Sequence, residues 1–220
     1  MRDGIEELYG CFNDTADIWD KKFGVESDDP FYQAVARPIP MTQAEVDILD
    51  LGCGTGIQLE FVFARAPNAK VTAIDLAPKM LEQLKSKFDS FAAQLKLVQG
   101  SLLDLPLGED EYDYAISTLT MHHLPPEQKV RVYKKVRNAL RPTGLYIEGD
   151  QSNSPGGEIE TVYWFKRWIS NLPGGNRAEW NYDITLSVAT QNRLLREAGF
   201  SDVQLAWENP GKLAVFAAKY

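Results

Sequence analysis

Cysteine is nearly absent from the sequence. Cys11 and Cys53 are the only two in 220 residues, too few for a disulfide framework and without metal-ligand spacing, so both are expected to be free thiols in a reducing compartment. Histidine is as scarce, and the adjacent pair His122 and His123 cannot build a zinc site unaided. No metal is expected. No apolar stretch approaches the length that spans a bilayer, and Met1 to Glu7 lacks the apolar core of a secretory signal, which points to a cytoplasmic protein with no membrane partner. Positive charge is in deficit as well. A formal net charge of −8 and a pI near 4.9 argue against nucleic acid held by counterion release, leaving only a local patch such as Lys134, Lys135 and Arg137 to evade that average.

What the chain does have is apolar periodicity and one concentration of glycine. Hydrophobic residues at 44% and charged residues at 25% are ordinary for a globular chain, and the length fits one domain with a sizeable core. Val46 to Gly56 reads Val-Asp-Ile-Leu-Asp-Leu-Gly-Cys-Gly-Thr-Gly, a buried parallel strand running into a tight turn. Ile57, Phe61 and Ala64 then recur at helical spacing, so the glycines stand where backbone N–H groups at a helix start are free to meet a ligand. The alternation continues: strands at Lys70–Asp75, Leu95–Gln99, Tyr112–Ser117 and from Leu145, with helices after Pro78 and Pro126, the latter stopped by Pro142 and Gly144. Such alternation predicts βαβ units and a mostly parallel sheet covered on both faces.

The flanks differ. Ile5, Leu8, Phe12 and Trp19 make an apolar stripe, while Gly24, Pro30, Pro38 and Pro40 interrupt the residues between that stripe and the first strand. That arm either packs on the sheet or closes over a ligand. From Glu158 to Leu172 a helix carries Tyr163, Trp164, Phe165 and Trp168, followed by Pro173-Gly174-Gly175, Trp180 and Tyr182, either packing or lining an acceptor pocket. A helix through Leu194 to Ala198, capped by Gly199, precedes a hairpin in which Val203, Leu205 and Trp207 alternate inward.

Ligands on such sheets sit outside the carboxyl ends of the strands, and those ends carry acids. Asp50 adjoins the glycine turn, Asp75 ends the second strand about 23 residues after Gly52, and Asp104 follows the third. Between Arg37 and Arg65 there is no Lys or Arg, so a pyrophosphate would meet a carboxylate with no counter-charge. The pattern suits a nucleoside bearing an ammonium and a sulfonium, its carboxylate directed at the N–H groups of the helix start.

Leu49-Asp50-Leu51-Gly52-Cys53-Gly54-Thr55-Gly56, then Asp75, Asp104 and the strand from Tyr112 leading to His122-His123-Leu124, resembles a class I S-adenosylmethionine-dependent methyltransferase of the small-molecule type. The aromatic-acid repeat Phe12 to Asp20 and the last helix, Leu194 to Phe200, are similar to the same family. The resemblance implies an α/β fold, a Rossmann-like three-layer sandwich with a mostly parallel seven-stranded sheet and an antiparallel C-terminal hairpin. It implies one domain: an N-terminal helical arm at 1–40, a cofactor-binding half at 41–150, an aromatic lid insertion at 151–185, and the last helix and hairpin at 186–220. S-adenosyl-L-methionine would be the cofactor, with Gly52, Gly54 and Gly56 at the methionine end beside Asp50, Asp75 at the ribose hydroxyls, Leu103 and Asp104 at the adenine, Thr118 near the sulfur, Trp19 closing over the site, and Leu76 among the cofactor-binding residues. His122 and His123 are the candidate catalytic bases, and Glu148 and Asp150 are loop-shaping residues or binders of a cationic acceptor.

The acceptor is expected to be a small molecule, with a homodimer compatible with the pattern. Ser117-Thr118-Leu119-Thr120 is not the Asn-Pro-Pro-Tyr or Asp-Pro-Pro-Tyr tetrapeptide of enzymes that methylate exocyclic amines of bases or Gln side chains, and the acid pair of the metal-dependent catechol type is incomplete. Three other readings stay open: a tRNA or protein methyltransferase of the same fold, a nicotinamide-dependent oxidoreductase, and a non-catalytic cofactor-binding protein.

Overall fold

The computed structural model describes residues 8–171 and 183–220. Ile5, Pro173-Gly174-Gly175, Trp180 and Tyr182, and the side chains of Leu8 and Trp168, lie outside the described residues. Strands β1 (Asp47–Leu51), β2 (Lys70–Asp75), β3 (Leu95–Gln99), β4 (Tyr112–Thr118) and β5 (Leu140–Asn153) are joined as a parallel sheet in the order β3-β2-β1-β4-β5. Beyond β5 the sheet turns antiparallel through β8 (Leu213–Lys219) to the edge strand β7 (Asp202–Asn209), while the two-residue β6 (Leu186–Ser187) adds to the far end of β5. The expected seven strands are thus present with a short eighth.

Alternate residues feed two apolar cores. Leu49 and Leu51 of β1 join one with α5 (Pro126–Ala139) and α7 (Val188–Glu197), and Ile48 joins the other with α3 (Ile57–Arg65) and α4 (Pro78–Lys87). That division is the direct consequence of the two-residue strand period in a sheet covered on both sides. Among the described residues no helix is long and apolar enough to cross a membrane.

The N-terminal arm holds more structure than its prolines implied. After α1 (Leu8–Phe23) comes a second helix, α2 (Pro30–Ala36), capped by Asp29 Oδ1, which accepts from Phe31 N at 2.9 Å and Tyr32 N at 3.1 Å. Pro30 opens this helix rather than breaking the chain, because its missing N–H would be unbonded there anyway. Phe31 and Val35 are buried against Gly149 of β5, where a Cβ would collide with both side chains.

Other boundaries also move. Pro142 and Gly144 do not stop α5, which ends at Ala139; they sit inside β5, in a register shift between the pairs Tyr112–Leu140 and Tyr114–Leu145 that spares Pro142 a ladder bond. Ala64 is exposed, the buried residues of α3 being Ile57, Gln58, Leu59, Phe61, Val62 and Phe63. Leu205 is 43% exposed where the β7 register shifts. α6 (Pro155–Asn171) buries Phe165 but leaves Tyr163 and Trp164 exposed.

The α2–β5 contact has no slack. Gly149→Ala is expected to destabilise the chain by about 1–3 kcal/mol through overpacking, read as a lower urea midpoint at unchanged slope.

Candidate functional site

The glycine turn between β1 and α3 is built from three left-handed residues, Gly52 (φ 68°), Gly54 (φ 53°) and Gly56 (φ 80°). Gly56 caps α3 against Leu84 and Phe88, and a Cβ on Gly52 would meet Thr120, whereas the Cβ position of Gly54 faces open space. Gly54 is therefore where a ligand can approach the backbone. Contrary to the sequence expectation, the turn's donors are not all free. Gly52 N and Cys53 N donate to Ile74 O at 2.8 and 3.0 Å, and Gly54 N donates to Asp75 Oδ2 at 2.8 Å.

Asp75 clasps the turn to the end of β2. Its other oxygen accepts from Ala77 N at 2.8 Å, and a carboxylate still has lone pairs left for two hydroxyls. Burial raises its pKa, with the N–H bonds from Ala77, Gly54 and Leu76 pulling the other way. Asp50 lies deeper, 1% exposed, and its Oδ2 has no hydrogen-bond partner among the described residues. Burial first, and the charge of Asp75 second, push its carboxyl up to about 8. Near neutral pH Asp50 is a protonated acid awaiting a cation. Burial also raises the Cys53 thiol well above its usual range, which removes it as a nucleophile.

A cavity of about 710 Å³ opens at the carboxyl ends of β1, β2 and β4. Helix α1 forms one wall through Phe12, Thr15, Trp19 and Lys22, so the cavity does have a cation that the gap between Arg37 and Arg65 concealed. This arm is tied down by polar contacts. Thr55 donates to Asp20, Lys87 pairs with Asp20 at 2.7 Å, and Gln83 donates to Asp17 at 3.0 Å. Trp19 packs between Phe12 and Phe23 at centroid distances of 5.4 and 4.4 Å.

The turn after β4 supplies the opposite wall. Leu119 adopts φ 52°, a left-handed conformation costly for a leucine, and its N–H reaches Gly149 O at 2.8 Å. His122, 4% exposed, comes next in a short 3-10 turn and is held twice by Asp150: its backbone N donates to Oδ2 at 2.8 Å and its Nδ1 lies 2.6 Å from Oδ1. That bond assigns the ring proton to Nδ1 and leaves the Nε2 lone pair facing the cavity side, 3.4 Å from the Gln151 amide. For Asp150, burial would raise the pKa, but its contact and bond with the His122 ring and the charge of Lys129 outweigh it and hold the carboxyl low. Glu148 never reaches the cavity. It is wholly buried among Tyr133, Tyr146 and Gln191, and burial raises its carboxyl to about 7 against the pull of Lys129.

Of the expected site residues, Trp19, Asp50, Gly52, Gly54, Asp75, Leu76, Leu103, Thr118, His122 and His123 line this one cavity. Two do not. Gly56 is a packing glycine, and Asp104 is exposed outside the lining, near Lys135. Ser101, immediately after the third strand's Gly100, lines the cavity in its place, with Oγ accepting from Leu103 N at 3.2 Å. Tyr163 and Trp164 are also absent from the lining. Asp183 does line it, brought in because Ile184 N donates to His122 O at 2.8 Å. No sequence signal marked Asp183, since the contact spans some sixty residues.

A family model described as "Methyltransferase domain" matches residues 48–144. The chain is 25% identical over 191 residues to a carboxy-S-adenosyl-L-methionine synthase of Yersinia enterocolitica, covering 80% of this chain and 71% of that protein. It is 37% identical over 81 residues to a malonyl-[acyl-carrier protein] O-methyltransferase of Acetivibrio thermocellus, covering 36% of this chain but only 27% of that protein. The solved complex of DhpI with SAH superposes with a TM-score of 0.68 at 20% identity, covering 96% of this chain and 94% of that one. At that identity the superposition speaks for the fold.

A carboxyl raised from 3.8 to about 8 binds its proton more tightly folded than unfolded, so its stabilisation is complete below its unfolded pKa and is lost as pH rises through the folded value. Asp50→Asn is accordingly expected to melt above the wild type by a margin that widens from about pH 4 to about pH 8 and then levels, read by thermal denaturation across that range. A margin independent of pH would remove the raised carboxyl.

Proposed function

We propose that this chain, a class I S-adenosylmethionine-dependent methyltransferase by its family-model match and its relatives, transfers the methyl group to an oxygen or nitrogen of a small-molecule acceptor in the cytoplasm. It acts as a single domain whose N-terminal arm covers the reacting end. The observation that carries this reading is Asp50, a buried carboxyl with an unpartnered oxygen at the wall of the cavity. A buried polar atom left unpaired costs about 1–3 kcal/mol, and the ammonium of the cofactor's methionine end supplies what it lacks.

S-adenosylmethionine brings the methyl on a sulfonium that is itself a good leaving group, so the chain's own work is placement and exclusion of water. Gly54 offers the open backbone face to the methionine carboxylate. Asp75 offers its remaining lone pairs to the ribose hydroxyls. Leu76 and Leu103 flank the adenine, with Ser101 rather than Asp104 as the polar group there. Thr118 stands on the sulfur side, and Trp19 and Phe12 keep that end dry. His122 Nε2, its ring fixed by Asp150, takes the acceptor's proton if the acceptor arrives as a hydroxyl or an ammonium, with His123 beside it.

Support for a small acceptor comes from the enclosure. The cavity of about 710 Å³ lies in the ordinary range for a small-molecule site, about 300–1,000 Å³, and α1 forms one of its walls. The basic cluster on α5 lends no support to a nucleic acid: Lys135 donates to Leu102 O at 2.7 Å and Arg137 to Gly199 O at 2.9 Å.

Asp75→Ala is expected to weaken S-adenosylhomocysteine binding by about 1.5–3 kcal/mol, roughly tenfold to a hundredfold, and calorimetry giving unchanged affinity would take Asp75 out of the site. Incubation with methyl-labelled S-adenosylmethionine and pooled metabolites, RNA and protein is expected to label the metabolite fraction. Label confined to RNA would refute the acceptor class.

A further inference from the structure

Two imidazoles and one carboxylate converge in the lining of the cavity. His122 Nε2 lies 3.7 Å and His123 Nδ1 3.6 Å from the same oxygen, Asp183 Oδ1, and the three donor atoms all fall within 4.8 Å of one another. We infer that His122, His123 and Asp183 form a binding site for a divalent transition-metal ion of the zinc class, its remaining coordination position opening into the acceptor end of the cavity. The sequence offered no metal-ligand spacing, because the third donor comes from a distant segment.

The distances fit such an ion. Ligands at about 2.0–2.1 Å in a tetrahedron stand about 3.4 Å apart, and the two measured edges exceed that by only a few tenths of an ångström, a shift within the reach of an exposed aspartate side chain. The buried support is already in place. A metal-binding histidine commonly gives its other ring N–H to a carboxylate, which fixes the tautomer and raises the basicity of the ligating nitrogen; Asp150, itself buried, does this to His122 at 2.6 Å. Phe12 packs edge-on against His123 at 5.2 Å, and the Ile184 N–H bond to His122 O anchors the segment that carries Asp183. The Gln151 amide, 3.4 Å from Nε2, has to turn aside.

The donor set selects the ion. Imidazole nitrogens with one carboxylate favour zinc, cobalt, nickel or iron over magnesium and calcium, which prefer all-oxygen surroundings. Metal and proton would compete for the Nε2 lone pair of His122, so in the loaded protein an acceptor oxygen is held by coordination instead of by a hydrogen bond to the imidazole. This consequence rests on the acceptor placement proposed above; the site itself does not.

The test is titration of the chelator-treated full chain with Co²⁺ and Zn²⁺, without S-adenosylmethionine or acceptor, so that it reads independently of methyl transfer. One ion per chain is expected, with the intense visible absorption of low-coordinate cobalt, no thiolate charge-transfer band, and displacement by Zn²⁺. Asp183→Asn and His123→Ala should each weaken binding at least tenfold while circular dichroism stays unchanged, and Cys11→Ser should leave it intact. Absence of saturable binding, binding indifferent to Asp183→Asn, dependence on Cys11, or a preference for Mg²⁺ would each overturn the site.

Discussion

Two buried carboxyls, Asp50 and Asp75, stand at the ends of neighbouring parallel strands, and the rest of the site is arranged around that cost. Asp75 is satisfied from within, by N–H groups of the glycine turn and of the chain entering α4. Asp50 is not, and stays neutral because burial penalises its charged form first and the charge of Asp75 beside it adds to that cost. A site in this condition discriminates by charge. A cationic methionine end relieves both the missing hydrogen bond and the missing counter-charge, whereas a pyrophosphate would add to the repulsion.

The same economy explains the arm. α1 meets the body through Ala16, which packs with Ala77 and Met80 in a small cluster flanked by Phe12, and through Trp19, which lies against both that cluster and the core on the α3–α4 side. Polar contacts add to that hold, through Asp20 to the buried Thr55 and to Lys87 and through Asp17 to Gln83. α2 is the contrast, its Phe31 and Val35 locked on Gly149, and it forms the fixed post beside which the arm sits.

Much of this was legible from residue order because it is local. Asp-Leu-Gly-Cys-Gly-Thr-Gly encodes a strand, a turn and a helix start within a dozen residues, and the acid of Asp75 follows from strand length. The features that escaped are those set by contacts distant in sequence. Pro30 and Asp29 read equally well as a break or as a helix cap until Gly149 shows what the helix packs on. Asp104 and Ser101 are three residues apart after the same strand, and only the path of the turn decides which of them faces the cavity. Asp183 enters through a backbone bond to His122, which no spacing rule could anticipate. Pro142 and Gly144 look like helix stops by propensity, yet a register shift in β5 absorbs them.

The central claim is that the cofactor's ammonium replaces a proton on Asp50. It is tested most directly by calorimetric titration of S-adenosylhomocysteine into the chain at pH 7 in buffers of different ionisation enthalpy, which counts protons exchanged on binding. With a carboxyl raised to about 8, the account predicts release of close to one proton per ligand bound, abolished in Asp50→Asn. Binding with no proton release in the wild type would contradict it.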